Sequence, residues 1–148
     1  MLHYLLDTNF CIYLMKNRPA FLLPIFEQHS RQIAVSSITV MELYYGVERS
    51  MQRVANGEKL ASFLARVQTL DFDVQAAAQT AIIRSILAQQ GTPIGPYDQM
   101  IAGHARAQNL TVVTNNRREF DRVDGLLVEN WLEQPPTATI NEASPAYR

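Results

Sequence analysis

Two spacings of hydrophobic residues alternate along this chain. Leu2 to Leu6 is a short apolar run that stops at Asp7, which predicts a buried strand. Gln32 to Ser36 and Leu110 to Thr114 predict two more; Leu126 to Glu129 is a weaker fourth and Leu70 to Phe72 a very short fifth. Helical stripes lie between them. Asp7-Thr8-Asn9 can cap a helix over Phe10 to Lys16, and Pro19 opens a second, short one. Val40, Met41, Leu43, Tyr44 and Val47 recur at helical spacing behind a cap at Ser37 or Thr39. Leu60, Phe63, Leu64 and Val67 mark the next helix, and Val74, Ala77, Ala78, Ala81, Ile82 and Ile86 the one after. Met51 to Glu58 is polar and reads as a loop, and Gly91 to Tyr97 as irregular chain with two glycines and two prolines. Asp98 opens a further helix that runs to Gln108. Strands alternating with helices predict an α/β domain with a mostly parallel central sheet. Residues 1–132 form that domain in this reading. The stretch 133–148, rich in Pro, Thr, Ala and Asn, is expected to be a mobile tail.

Composition narrows the function classes only slightly. A chain of 148 residues that is 47% hydrophobic and 18% charged suits one globular core. The formal net charge of −1 supplies no global basic field, so any nucleic-acid binding rests on a local basic patch or on cations held among carboxylates. Cys11 is the single cysteine, which excludes an internal disulfide and a thiolate zinc site. The first residues lack a basic stretch ahead of an apolar run, and no segment approaches the ~20 apolar residues of a membrane span. A cytoplasmic protein with no membrane attachment is expected.

Four acidic residues stand out by where they fall. Asp7 terminates the first strand, Glu42 lies in the first turns of the helix after the second, Asp98 opens a helix, and Glu119 follows the strand ending at Thr114. In an open parallel sheet the loops at the carboxyl ends of the strands converge on one crevice, so these carboxylates can meet. Clustered carboxylates oppose one another's ionisation unless a cation joins them. Mg²⁺ or Mn²⁺ suits an all-oxygen site, and a pair of such ions can align the attacking and leaving oxygens of a phosphodiester. Taken singly, each residue has a plainer role. Asp7 and Asp98 can be helix caps, Glu42 the polar side of an amphipathic helix, and Glu119 a surface charge beside Arg117 and Arg118. An aspartyl-phosphate enzyme would want a second aspartate two positions after Asp7, where Asn9 stands.

Together the segments are specific. Leu5-Leu6-Asp7-Thr8-Asn9, Ser36 through Gly46 around Glu42, Ile94 through Ala102 around Asp98, and Val113 through Phe120 resemble, in order, the signature segments of the VapC toxins. The resemblance runs from residue 1 to about Trp131, including a closing strand near Leu126 to Glu129. It implies a PIN fold, a mostly parallel sheet of about five strands flanked by helices. It also implies Mg²⁺-dependent (or Mn²⁺-dependent) cleavage of structured RNA, with transfer RNA, and the initiator anticodon loop in particular, as the target. Asp7, Glu42 and Asp98 match the family's central acids and Glu119 a fourth. Asn116 stands where many PIN domains have aspartate, which weakens the case for a tightly held second ion. Thr8 and Thr114 match its small polar flanking residues. A VapB-type antitoxin partner, a homodimer, a larger toxin–antitoxin assembly and operator DNA bound only through the antitoxin are further implications. A housekeeping RNA-processing nuclease and a non-catalytic α/β binding module are the alternatives.

Other residues carry less. Arg117, Arg118 and Arg122 suit phosphate contacts and a solvated face equally well. His3, His29 and His104 form no spaced ligand set, and His104 reads as a packing residue. Cys11 reads as a buried small hydrophobe, and Trp131 as a packing anchor.

Overall fold

The computed structural model describes residues 1–140. Strands β1 (Tyr4–Leu6), β2 (Ile33–Ser36), β3 (Gln68–Leu70), β4 (Thr111–Val113) and β5 (Val128–Glu129) make one sheet. Its order is β3-β2-β1-β4-β5 and every neighbouring pair is parallel. Helices α1 (Thr8–Met15), α2 (Leu22–His29), α3 (Ser37–Arg49), α4 (Arg53–Leu64), α5 (Val74–Gln90), α6 (Pro96–Gln108) and α7 (Arg117–Phe120) connect and cover it. The expected α/β architecture with a parallel sheet is therefore present. Among the described residues no helix is long and apolar enough to cross a membrane.

The alternation of side chains along a strand divides the core into two layers. Tyr4, Leu6, Ile33 and Val35 point to one face and pack with Phe10, Phe26, Phe63 and Trp131. Leu5, Ala34 and Val112 point to the other and meet Ile83, Leu87, Ile101 and Phe120. Because β1 is buried on both faces, its segment is a continuous apolar run rather than an alternating one. Trp131 is buried edge-on to Tyr4 and Phe10, and Cys11 is fully buried, so both pack as expected.

Several boundaries differ from the sequence pattern. α4 begins inside the stretch read as a loop, at Arg53: once Leu60 and Phe63 anchor its last turns, extending a helix over solvated residues costs little. The second helix starts at Leu22 rather than Pro19. β3 precedes the expected strand because Gln68, Thr69 and Leu70 pair with Ala34, Val35 and Ser36. The cap of α3 is Ser36, whose Oγ accepts the Ile38 N–H at 3.1 Å; Ser37 Oγ instead accepts the Phe72 N–H at 3.0 Å. Of the stretch 133–148, residues 141–148 lie outside the described residues. Earlier in it, Thr137 donates to Glu129 through both N–H and hydroxyl, Ala138 N–H donates to Tyr4 Oη, and Thr139 O accepts from Gln32.

α5 and α6 approach closely at Gly103. A Cβ there would lie 2.0 Å from Thr80 Oγ1 and 2.7 Å from Thr80 N. That closeness sets the position of α6, whose first turn carries Asp98.

Candidate active site

Strand order reverses direction beside β1: β2 and β3 lie on one side of it, β4 and β5 on the other. The carboxyl ends of β1 and β4 therefore border a crevice that no connection crosses. Asp7 follows β1, and Thr114 follows β4. They meet directly, Thr114 Oγ1 donating to Asp7 Oδ2 at 2.5 Å across 107 residues of sequence. The other oxygen, Oδ1, accepts the Phe10 N–H at 2.8 Å and so caps α1. Capping α1 therefore uses one oxygen of Asp7, and the contact across the crevice uses the other.

Glu42 comes from the second turn of α3, which starts where β2 ends. Its Oε1 accepts the Thr8 hydroxyl at 2.6 Å, and Thr8 Oγ1 also stands 3.2 Å from Thr39 Oγ1. Thr39, read from sequence only as a possible cap, is fully buried beneath this contact. Its spacing of three residues from Glu42, which places both on one helical face, was the available signal. Asp98 arrives from the opposite direction. α6 leads into β4, so it runs antiparallel to the strands and begins at their carboxyl edge, with Pro96 in the first turn and Asp98 two residues later. Glu119 reaches the same place from α7, near enough for its charge to act on Asp98. Asn116 Nδ2 lies 3.4 Å from Glu119 Oε2, and Asn116 N–H donates to Thr114 Oγ1 at 2.9 Å.

Asp7 and Asp98 both feel the charges of their acidic neighbours. Burial pushes the Asp7 carboxyl up from 3.8 to about 6, with Glu42 adding to the rise and the bonds from Thr114 and Phe10 opposing it. Asp98 is raised to about 7, by burial first, then by Glu119, and by the charges of Asp7 and Glu42. Among the described residues, no three acidic, histidine or cysteine side chains crowd close enough to ligate one ion directly. The groups that converge as possible ligands are all oxygens: four carboxylates and two threonine hydroxyls. Such a set fits a hard divalent ion, which keeps part of its water shell and can span a wider ring.

The remaining sequence candidates stand around this site. Arg117 is paired with its neighbour Asp121 at 3.2 Å, Arg122 donates to the Pro93 carbonyl at 2.9 Å, and Arg118 is exposed. A groove of about 430 Å³ opens beside Glu42, with Ile12, Met15, Leu43 and Val47 among its walls and Lys16 and Lys59 also lining it. Nothing in the sequence pattern had marked it, because its walls come from α1, α3 and α4.

A family model described as "PIN domain" matches residues 4–126. The chain is 49% identical over 131 residues to the tRNA(fMet)-specific endonuclease VapC of Salmonella typhimurium, a match covering 88% of this chain and 99% of that protein. It is 46% identical over 132 residues to Ribonuclease VapC2 of Haemophilus influenzae, covering 89% and 100%. Among solved structures, that of DNA-bound VapBC from Salmonella typhimurium superposes with a TM-score of 0.86 at 49% identity, over 88% of this chain and 99% of that one.

Proposed function

The chain belongs to the PIN-domain family, among its VapC ribonucleases, and from that premise we propose that it is a Mg²⁺- or Mn²⁺-dependent endoribonuclease toxin acting on transfer RNA. The observation that carries the proposal is the convergence of Asp7, Glu42, Asp98 and Glu119, from four separate segments, on the crevice beside β1. Asp7, Glu42 and Asp98 would hold the ion, with Glu119 at its margin. When bound, it supplies charge neutralisation for a phosphodiester and an acidified water. The chain's own groups do the rest. Thr8 orients Glu42 by donating to Oε1, and Thr114 orients Asp7 by donating to Oδ2. The raised pKa values of Asp7 and Asp98 mark carboxylates whose full ionisation awaits a cation.

The substrate assignment is supported by the name of the 49% identical relative, which specifies tRNA(fMet). Control by a VapB-type antitoxin is supported by the solved VapBC complexes that resemble this chain. The groove beside Glu42 suits such a partner: its apolar walls would take apolar side chains, and a guanidinium reaching past Glu42 would pair with the carboxylates. A homodimer is consistent with the exposed Met41, Tyr44 and Tyr45 on α3. The deciding experiment is cleavage of initiator tRNA by the purified chain with Mg²⁺, with chelator, and after co-expression with the neighbouring gene product. Cleavage that needs Mg²⁺ and is lost in the complex is expected. Undiminished cleavage in chelator overturns the metal reading. A chain harmless when induced alone overturns the toxin reading and favours an RNA-processing nuclease.

A further inference from the structure

His104 lies on α6, six residues after Asp98, with its ring wholly buried. Its Nδ1 stands 2.8 Å from Ser36 Oγ. Ser36 ends β2 and caps α3, and its Oγ already accepts the Ile38 N–H. The hydroxyl keeps both its proton and a second lone pair, so the bond closes with either ring tautomer, Ser36 donating to Nδ1 or accepting from it. Six residues beyond Ser36, α3 carries Glu42. One buried hydrogen bond thus ties together the two helices that carry Asp98 and Glu42.

A packing role alone accounts poorly for this imidazole. Its Nε2 is buried with no hydrogen-bond partner among the described residues, and the ring faces Phe72 edge-to-face at 5.5 Å. Leucine would fill a similar space without the orphaned nitrogen, but it would take away the buried Ser36 hydroxyl's ring partner. The ring's partner nitrogen makes a contact that an aliphatic side chain cannot make. Here that partner fixes α6 against the start of α3.

We propose that His104 is a positioning residue for the carboxylate site, its bond to Ser36 holding Asp98 and Glu42 in register with each other. The proposal rests on reading that site as a metal-dependent nuclease centre. Near-attack geometry is sensitive to displacements of about 1 Å, which cost on the order of 100-fold in rate. Loss of the tie is therefore expected to lower kcat by roughly tenfold or more, with KM for RNA nearly unchanged because His104 touches no substrate.

The test compares wild type, His104→Leu, His104→Asn, Ser36→Ala and the double variant His104→Leu/Ser36→Ala, all well below their melting temperatures. Asparagine offers a hydrogen-bonding atom near the place of Nδ1 and is expected to recover much of the lost kcat; leucine is not. Mn²⁺ affinity, followed by electron paramagnetic resonance, is expected to weaken in His104→Leu and recover in His104→Asn. If the bond acts as a unit, adding Ser36→Ala to His104→Leu lowers kcat far less than Ser36→Ala does alone. An active wild type whose kcat and Mn²⁺ affinity survive His104→Leu overturns the proposal, as does full additivity of the two substitutions. Equal loss in the leucine and asparagine variants also overturns it. A wild type that neither binds Mn²⁺ nor cleaves RNA instead overturns the nuclease reading, and the positioning role with it.

Discussion

Asp7→Asn separates what this carboxylate does for the site from what it does to the fold. Asparagine caps helices about as well as aspartate, so its Oδ1 can keep the Phe10 N–H now held at 2.8 Å. What disappears is the charge. A carboxyl that ionises at about 6 instead of 3.8 costs the folded protein roughly 3 kcal/mol once ionised, at ~1.4 kcal/mol per pH unit. The folded pKa is the higher one, so the stability tied to the protonated form is present at low pH and lost as pH rises through about 6. At pH 8 the variant escapes that penalty. It gives up the Thr114 hydroxyl's bond to Oδ2, worth about 1 kcal/mol. The net gain in chelator is on the order of 2 kcal/mol, or roughly 5 °C in Tm for a chain of this length. Near pH 4.5 wild-type Asp7 is already protonated in the folded state and the gain falls to about zero. RNA cleavage meanwhile falls by about two orders of magnitude or more, since even indirect damage to a metal site costs 10–100-fold. Thermal melts of both proteins in chelator from pH 4.5 to 8, beside cleavage of labelled tRNA, test this. A variant less stable than wild type at pH 8, or a difference constant across the pH range, refutes the burial argument.

Three further outcomes follow from the same geometry. Protonated Asp98 cannot ligate a cation, and its pKa in the metal-free protein is raised to about 7, so at sub-saturating Mg²⁺ cleavage is expected to climb as pH passes through about 7; a profile flat from pH 6 to 8 at that Mg²⁺ level contradicts this. Gly103→Ala places a methyl 2.0 Å from Thr80 Oγ1 and 2.7 Å from the Thr80 backbone nitrogen, so α5 must move and stability drops by roughly 1–3 kcal/mol in denaturant titrations. Pairing it with Thr80→Ala does not restore wild-type stability, because the backbone contact remains. Hydrolysis by water predicts products with 5′-phosphate and 3′-hydroxyl ends; 2′,3′-cyclic phosphate as the main product in end-labelling points instead to attack by the RNA's own 2′-OH.

Much of this molecule was legible in its sequence because the signals are local. Leu2 to Leu6 is apolar throughout because β1 is covered on both faces, and Val74 to Ile86 is helical because its apolar residues recur each turn. The cap at Asp7 acts within three residues of itself. The four acidic segments and their order were equally visible, and they suffice to recognise the family. What no local window contains is who meets whom. Glu42 and Glu119, taken alone, are indistinguishable from solvated charges on amphipathic helices. They converge with Asp7 and Asp98 only because the order β3-β2-β1-β4-β5 brings α3 and α7 to one edge of the sheet. The Thr114–Asp7 bond spans 107 residues and the His104–Ser36 bond 68; a residue read as packing became a tie between two helices through the second of these. Strand order follows from burying two apolar layers against one sheet at once, a condition on the whole chain. Which hydroxyl reaches which carboxylate, and how far burial raises its pKa, is settled only when that condition is met.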